Sequence, residues 1–94
     1  MLNPKQRAYL KSLAHPLKAC FQIGKDGLSE NLRTDVLHYL NKHELIKISI
    51  LKNCALNIKE AALDIASLTN SELIQIIGRN IVFYRKSKKQ LIKL

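Results

Sequence analysis

Ninety-four residues support one domain, and 47% hydrophobic residues with only three glycines is the composition of a packed core rather than of a disordered tail. The formal net charge of +9 calls for an anionic partner, and no run approaches the roughly 20 apolar residues of a membrane span, so no membrane partner is expected. Cys20 and Cys54 are too few and too distant for a disulfide framework or a zinc knuckle, which leaves reduced thiols, a cytoplasmic location and neither metal nor other cofactor as the expectation.

In chain order, the N-terminus is polar and lacks an apolar h-region, so no signal peptide is expected. Asn3-Pro4-Lys5-Gln6 has the form of a helix start, with Asn3 as N-cap, Pro4 at the first helical position and Gln6 as capping-box partner. Gln6, Leu10, Leu13 and Ala14 then share a core-facing side. Arg7, Lys11 and His15 form an i, i+4 row along one flank. Such a row costs an isolated helix a few tenths of a kcal/mol, roughly, and suits either bare solvent or a line of phosphates. His15-Pro16 ends this helix, because the residue before proline avoids the αR region.

A first strand at about 19–23 places Cys20 and Phe21 in the core, and it runs into Gly24-Lys25-Asp26-Gly27. Two glycines around a loop before a helix let another chain approach the backbone, where free N–H groups favour anions. The same G-x-x-G pattern also closes ordinary strand-to-helix turns, so alone it is weak. A second helix is expected from Ser29, as N-cap, to about Lys42, with Leu28, Leu32, Val36 and Leu40 as its buried stripe and Tyr39 beside it. From Glu44 to Leu51 the period becomes two: Ile46, Ile48 and Ile50 face one way, Leu45, Lys47 and Ser49 the other. Asn57 and Glu60 repeat the capping-box pattern before a third helix at about 58–68. Leu73–Ile77 and Ile81–Arg85 read as strands joined by a Gly78-Arg79-Asn80 hairpin loop, and the basic segment 86–94 either extends the last strand or frays. The order α-β-α-β-α-β-β predicts a single compact α/β domain spanning 1–94, with a mixed four-stranded sheet and packed helices.

The charge is segregated along this order. Residues 1–25 carry Lys5, Arg7, Lys11, Lys18 and Lys25 with no acid, and residues 73–94 carry Arg79, Arg85, Lys86, Lys88, Lys89 and Lys93 with no acid. All seven acids fall within 26–72. A tail kept for solubility would explain 86–94 but not the first 25 residues, so a basic face is expected if the fold joins the two ends. His15, His38 and His43 stand far apart and no nucleophile or metal motif accompanies them, so neither enzymatic activity nor a small-molecule substrate is expected. The aromatics are few. With Phe21 and Phe83 expected in the core, Tyr9 or Tyr84 remain as occasional stacking platforms, and contact with the backbone and shape of structured RNA is expected over base reading.

Beyond these patterns, Leu2-Asn3-Pro4-Lys5-Gln6-Arg7, Leu10 to Lys18 and Ile23 to Ser29 resemble the opening of the YhbY-type CRM domain (chloroplast RNA splicing and ribosome maturation). The resemblance continues at His43-Glu44-Leu45-Ile46-Lys47-Ile48 and at Ile76 to Arg85, which covers nearly the whole chain in order. It implies a fold similar to the C-terminal domain of bacterial translation initiation factor three. It also implies RNA binding on precursors of the large ribosomal subunit, through the G-x-x-G loop and neighbouring basic residues. Carried onto this chain, the implied contacts are Gly24, Lys25, Asp26, Gly27, Lys5, Arg7, Lys11 and Arg85; the charge argument adds Lys18 and Arg79. Two positions depart from the pattern: Ala19 stands where a proline often follows, and Asp26 puts an acid inside the loop. The expected partner is therefore ribosomal RNA, bound by a monomer. The alternative is a protein-interaction module docking on an acidic surface of the ribosome or a translation factor.

Overall fold

The computed structural model describes residues 2–94, and each helix begins where a side chain accepts from one of its free N–H groups. Helix α1 (Pro4–Ala14) has a complete capping box: the Asn3 side chain accepts from the Gln6 N–H at 2.8 Å, and the Gln6 side chain accepts from the Asn3 N–H at 3.0 Å. Helix α2 (Glu30–His43) is capped by Ser29, whose hydroxyl accepts from the Leu32 N–H at 3.2 Å. Helix α3 (Ile58–Thr69) is capped by Asn57, which accepts from the Glu60 N–H at 2.8 Å; the Glu60 carboxylate returns to the Asn57 side-chain amide rather than to its backbone.

The end of α1 corrects one expectation. His15 sits at φ −52°, ψ −48°, within the αR region, despite preceding Pro16. The helix stops there because Pro16 has no N–H to donate to the Ser12 carbonyl. At the far end of α3, Asn70 takes the left-handed conformation at φ 50°, and the Ser71 N–H closes the turn onto the Ala66 carbonyl at 3.0 Å.

Four strands form one sheet: β1 (Phe21–Ile23), β2 (Leu45–Ile50), β3 (Glu72–Ile77) and β4 (Asn80–Tyr84), in the spatial order β1-β2-β4-β3. β1 runs parallel to β2, with Phe21 opposite Ile48 and Ile23 opposite Ile50. β4 lies antiparallel to both β2 and β3, so β1, β2 and β3 all point one way and β4 alone points back. Gly78, at φ 59°, takes the first position of the two-residue hairpin loop, where only glycine enters without strain. The register slips between Leu73 and Gln75, a bulge that the alternating pattern of β3 did not announce.

The sheet separates two apolar layers. On one face Ile46, Ile48, Ile50, Ile81 and Phe83 pack with Val36 and Leu40 of α2 and with Ala61, Ala62 and Ile65 of α3. On the other, α1 lays Leu10 and Ala14 over Leu45, Val82, Tyr84 and Ile74, the last turned to this side at the bulge. Each large aliphatic side chain so buried contributes about 1.5–3 kcal/mol. The expected alternation of β2 is thus observed, with Lys47 buried on the α1 side among apolar neighbours.

Three expectations fail here. Cys20 is exposed rather than in the core, because β1 begins one residue later and the segment before it runs along the surface. Tyr84 is 6% exposed and packs under α1, so it offers no stacking platform, whereas Tyr9 is 47% exposed. The segment after β4 neither extends the strand nor frays. It turns back at Ser87–Gln90 and packs Ile92 against the α1 layer. The Cα radius of gyration, 12.5 Å, matches the roughly 12 Å of a packed chain of this length, so both basic ends belong to the folded body.

Candidate nucleic-acid interface

Strand direction decides which loops meet. Because β1 and β2 are parallel and β4 is antiparallel, the loop after β1, the loop after β2 and the β3–β4 hairpin all lie at one end of the sheet. There Gly24 to Gly27 form a tight turn, closed by the Gly27 N–H on the Gly24 carbonyl at 3.1 Å. Its two glycines serve different purposes. A Cβ on Gly24 would lie 3.3 Å from Asn53 Oδ1 and 3.5 Å from Leu51 Cδ1, so this position permits close packing against the loop after β2. Gly27 has φ 65° with nothing near its missing Cβ, so it serves the backbone conformation alone. Lys25 and Asp26 are both exposed at the tip, and Ser29 starts α2 two residues beyond Gly27. The loop thus presents backbone, one cation and one outward acid beside a helix N-terminus.

The basic residues singled out in the sequence divide into three sets. Arg79 stands with the turn, but its guanidinium is engaged: Nε donates to the Ile50 carbonyl at 2.7 Å and Nη2 to the Leu51 carbonyl at 2.8 Å. It closes the end of β2 and keeps only part of its donor fork for a ligand. Lys5, Lys11 and Lys18 are exposed on α1 and the connector after it. Arg7, between them, is tied down. Its Nη1 lies 3.4 Å from Glu72 Oε2, and Nη2 donates to the Leu73 carbonyl at the bulge. Arg85 is half-buried at the opposite end of the sheet, where its N–H donates to the Glu44 carbonyl at 2.9 Å. The fold therefore brings Arg79 to Gly24, Lys25, Asp26 and Gly27, and leaves Arg85 a sheet length away.

Two working residues escaped the sequence reading. Glu44 caps α2 at φ 65° and is fully buried. Its carboxylate accepts from the Ser87 N–H at 2.7 Å, the Ser87 hydroxyl at 2.6 Å and the Ile92 N–H at 2.7 Å, so one side chain holds the C-terminal segment. Burial alone would push its carboxyl pKa up, but the hydrogen bonds from Ser87, Ile92 and Leu91 outweigh it, and the group lies below its ordinary value. Lys47 reaches from β2 to the Leu17 carbonyl at 2.9 Å, while its own carbonyl accepts from the Cys20 N–H at 2.9 Å, which fastens the α1–β1 connector. Both lie in the stretch His43 to Ile48 that carries the family resemblance, and that was their one signal.

On the α2 side, Cys20 Sγ lies 3.1 Å from the Tyr39 hydroxyl, and that bond with partial burial pushes the phenol up to about 12. Tyr39 meets Phe21 edge-on at 5.9 Å and His43 at 4.3 Å between ring centroids, so these rings serve packing. Among the described residues no three His, Cys, Asp or Glu side chains gather to hold a metal ion, and no helix is long and apolar enough to cross a membrane.

Both the sequence and the fold are similar to those of known proteins. The family model of the CRS1 / YhbY (CRM) domain matches residues 2–85, from before α1 to the end of β4. The chain is similar to Probable RNA-binding protein YqeI of Bacillus subtilis, with 39% identity over 95% of this chain and 93% of that one. It is also similar to an RNA-binding protein of Haemophilus influenzae, with 34% identity over 99% and 94% of the two chains. The solution structure of the hypothetical protein SAV1595 from Staphylococcus aureus superposes with a TM-score of 0.79 at 46% identity, covering 94% of this chain and 92% of that one. The chain belongs to the CRS1 / YhbY (CRM) domain family.

Proposed function

We propose that this protein binds structured ribosomal RNA through the Gly24–Gly27 turn and the exposed cations around it, in assembly of the large ribosomal subunit. The observation that carries the reading is the turn itself: a backbone held open by Gly27 at φ 65°, tipped by exposed Lys25 and leading into α2. Backbone amides and the helix N-terminus meet phosphate oxygens, and Lys25 adds a charge. Lys11 on α1 and Lys18 on the connector after it extend the contact, and Arg79 sets the neighbouring strand end. Family membership and the relatives' RNA binding support the partner class. Asp26 at the tip opposes side-chain contact with phosphate, so the turn grips through its backbone and leaves base identity unread.

The test pairs two substitutions. Lys25→Glu changes charge without backbone strain, and is expected to lower affinity for structured ribosomal RNA about tenfold at unchanged melting temperature. Gly27→Glu also blocks the turn, at a cost of about 1–2 kcal/mol in stability because a Cβ at φ 65° is strained. Folded variants that keep full affinity remove the turn from the interface. Association that survives exhaustive RNase treatment would point to a protein partner instead.

A further inference from the structure

At the end of the sheet opposite the G-x-x-G turn lies a basin of about 680 Å³, between the start of α1, the α3–β3 turn and the C-terminal segment. This size falls within the roughly 300–1,000 Å³ of small-ligand sites. Three cations line it: Arg85, Lys86 and Lys93. The one acidic side chain in its wall, Glu72, is opposed by the Arg7 guanidinium at 3.4 Å, so the lining side chains are net positive. Carboxamides of Asn70 and Gln90 add groups that both donate and accept, and Leu2, Ile92 and Leu94 supply apolar surface.

The C-terminal wall is built rather than incidental. Glu44, fully buried, holds Ser87 and Ile92 by three hydrogen bonds, which fixes the backbone that carries the exposed Lys86, Gln90 and Lys93 around the opening. Cations alone would suit any anion. Cations beside two-way hydrogen-bonding amides and an apolar floor match a ligand with a phosphate, a base edge and a base face. We propose that this basin takes one nucleoside 5′-phosphate unit, the phosphorylated end of a single-stranded RNA. The cations hold the phosphate, Asn70 and Gln90 meet the base edge, and the apolar floor receives its face. The inference rests on the RNA-binding reading but places a second contact a sheet length from the turn.

The experiment is a titration of the isotope-labelled full chain followed by amide chemical shifts. The probes are a mixture of the four nucleoside 5′-monophosphates, a short RNA with a 5′-phosphate, the same RNA with a 5′-hydroxyl, and inorganic phosphate. The phosphorylated RNA is expected to shift Asn70, Arg85, Gln90 and Lys93, and the hydroxyl RNA to bind there at least about fivefold more weakly. Saturation by the free monophosphates assigns the same chemistry to a free nucleotide. A Lys86→Ala/Lys93→Ala pair is expected to cost at least about fivefold at this end only. Asn70→Gly keeps the left-handed backbone, removes the amide, and is expected to weaken nucleotide but not inorganic phosphate. Equal shifts from inorganic phosphate and nucleotide, insensitive to Asn70→Gly, would reduce the basin to a plain anion sink and overturn the proposal. Shifts confined to Gly24–Gly27 and Arg79 would overturn it while leaving the proposed function standing; shifts confined to the basin would do the reverse.

Discussion

Arg7 and Lys11 lie on one flank of α1 and carry the same charge, yet the structure gives them different work. Arg7 spends its guanidinium on Glu72 and on the Leu73 carbonyl at the bulge, whereas Lys11 is exposed. The ion pair is half-exposed and worth little by itself, but the bond to a bulge carbonyl satisfies a backbone group outside the ladder. Arg7→Ala is therefore expected to cost about 1–2 kcal/mol of stability in denaturant melts, with a small change in RNA affinity. Lys11→Ala should do the opposite, with stability unchanged and affinity lowered about two- to fivefold in a filter-binding or anisotropy titration. Equal loss of affinity in both variants would restore Arg7 to the interface. Nothing at position 7 itself signals this, because the partners that occupy Arg7 stand 65 and 66 residues away.

Among the elements, the segment after β4 departs furthest from its sequence. Its lysines suggest a solvated tail, but Glu44 binds it down, and this explains why a glutamate occupies a helix end at φ 65° where glycine is usual. The strain of that backbone, about 1–3 kcal/mol, is offset by the carboxylate's bonds to Ser87 and Ile92. The sign of the pH effect follows from the lowered pKa. Since Glu44 holds its proton less firmly when folded, its stabilisation is complete at neutral pH. It is lost as pH falls from the ordinary value of 4.5 through the lower folded one. Amide exchange at Ser87 and Ile92 should accelerate across that acid range while the β2 and β4 amides stay protected. Glu44→Gln, which keeps the shape and removes the charge, is expected to cost about 1–3 kcal/mol and to abolish that acid dependence. An unaltered acid profile in Glu44→Gln would show that another carboxyl holds the segment.

Over the whole molecule, the sheet divides the acids as well as the apolar layers, while Arg33, Lys42 and Lys59 keep exposed cations on the α2 and α3 side. Two of the seven acids are consumed internally, Glu44 by the C-terminal segment and Glu72 by Arg7. The α1 side thus keeps Lys5, Lys11 and Lys18 exposed, with the remaining acids on the turn, α2 and α3. RNA affinity should therefore fall steeply with salt. Four phosphate contacts predict a slope of about −3 to −4 in log K against log salt concentration, measured from 50 to 300 mM or so. A slope near zero would defeat the electrostatic reading of the α1 face. With Arg7 engaged and Arg79 partly engaged, a slope much beyond this would mean that exposed cations away from the turn and α1, such as Lys86 and Lys93, also reach the RNA.

Much of this architecture was legible in the residues because its causes are local. Asn3, Ser29 and Asn57 start helices wherever they stand before the right pattern, and the period-two run from Leu45 to Ile50 divides its side chains between two faces in any sheet. Glycines at 24 and 27 likewise announce a turn, and an acid-free helix announces a basic surface. Which cations remain free, that Cys20 is exposed while Tyr84 is buried, and that Glu44 gathers Ser87 and Ile92 were decided only by the tertiary structure. The reason is physical. A side chain's periodicity and capping depend on neighbours within a few residues, whereas its partner depends on strand register and on how α1 crosses the sheet. For that reason the G-x-x-G turn could be located from the chain alone, but the company it keeps, Arg79 at its side and Arg85 at the far end, could not.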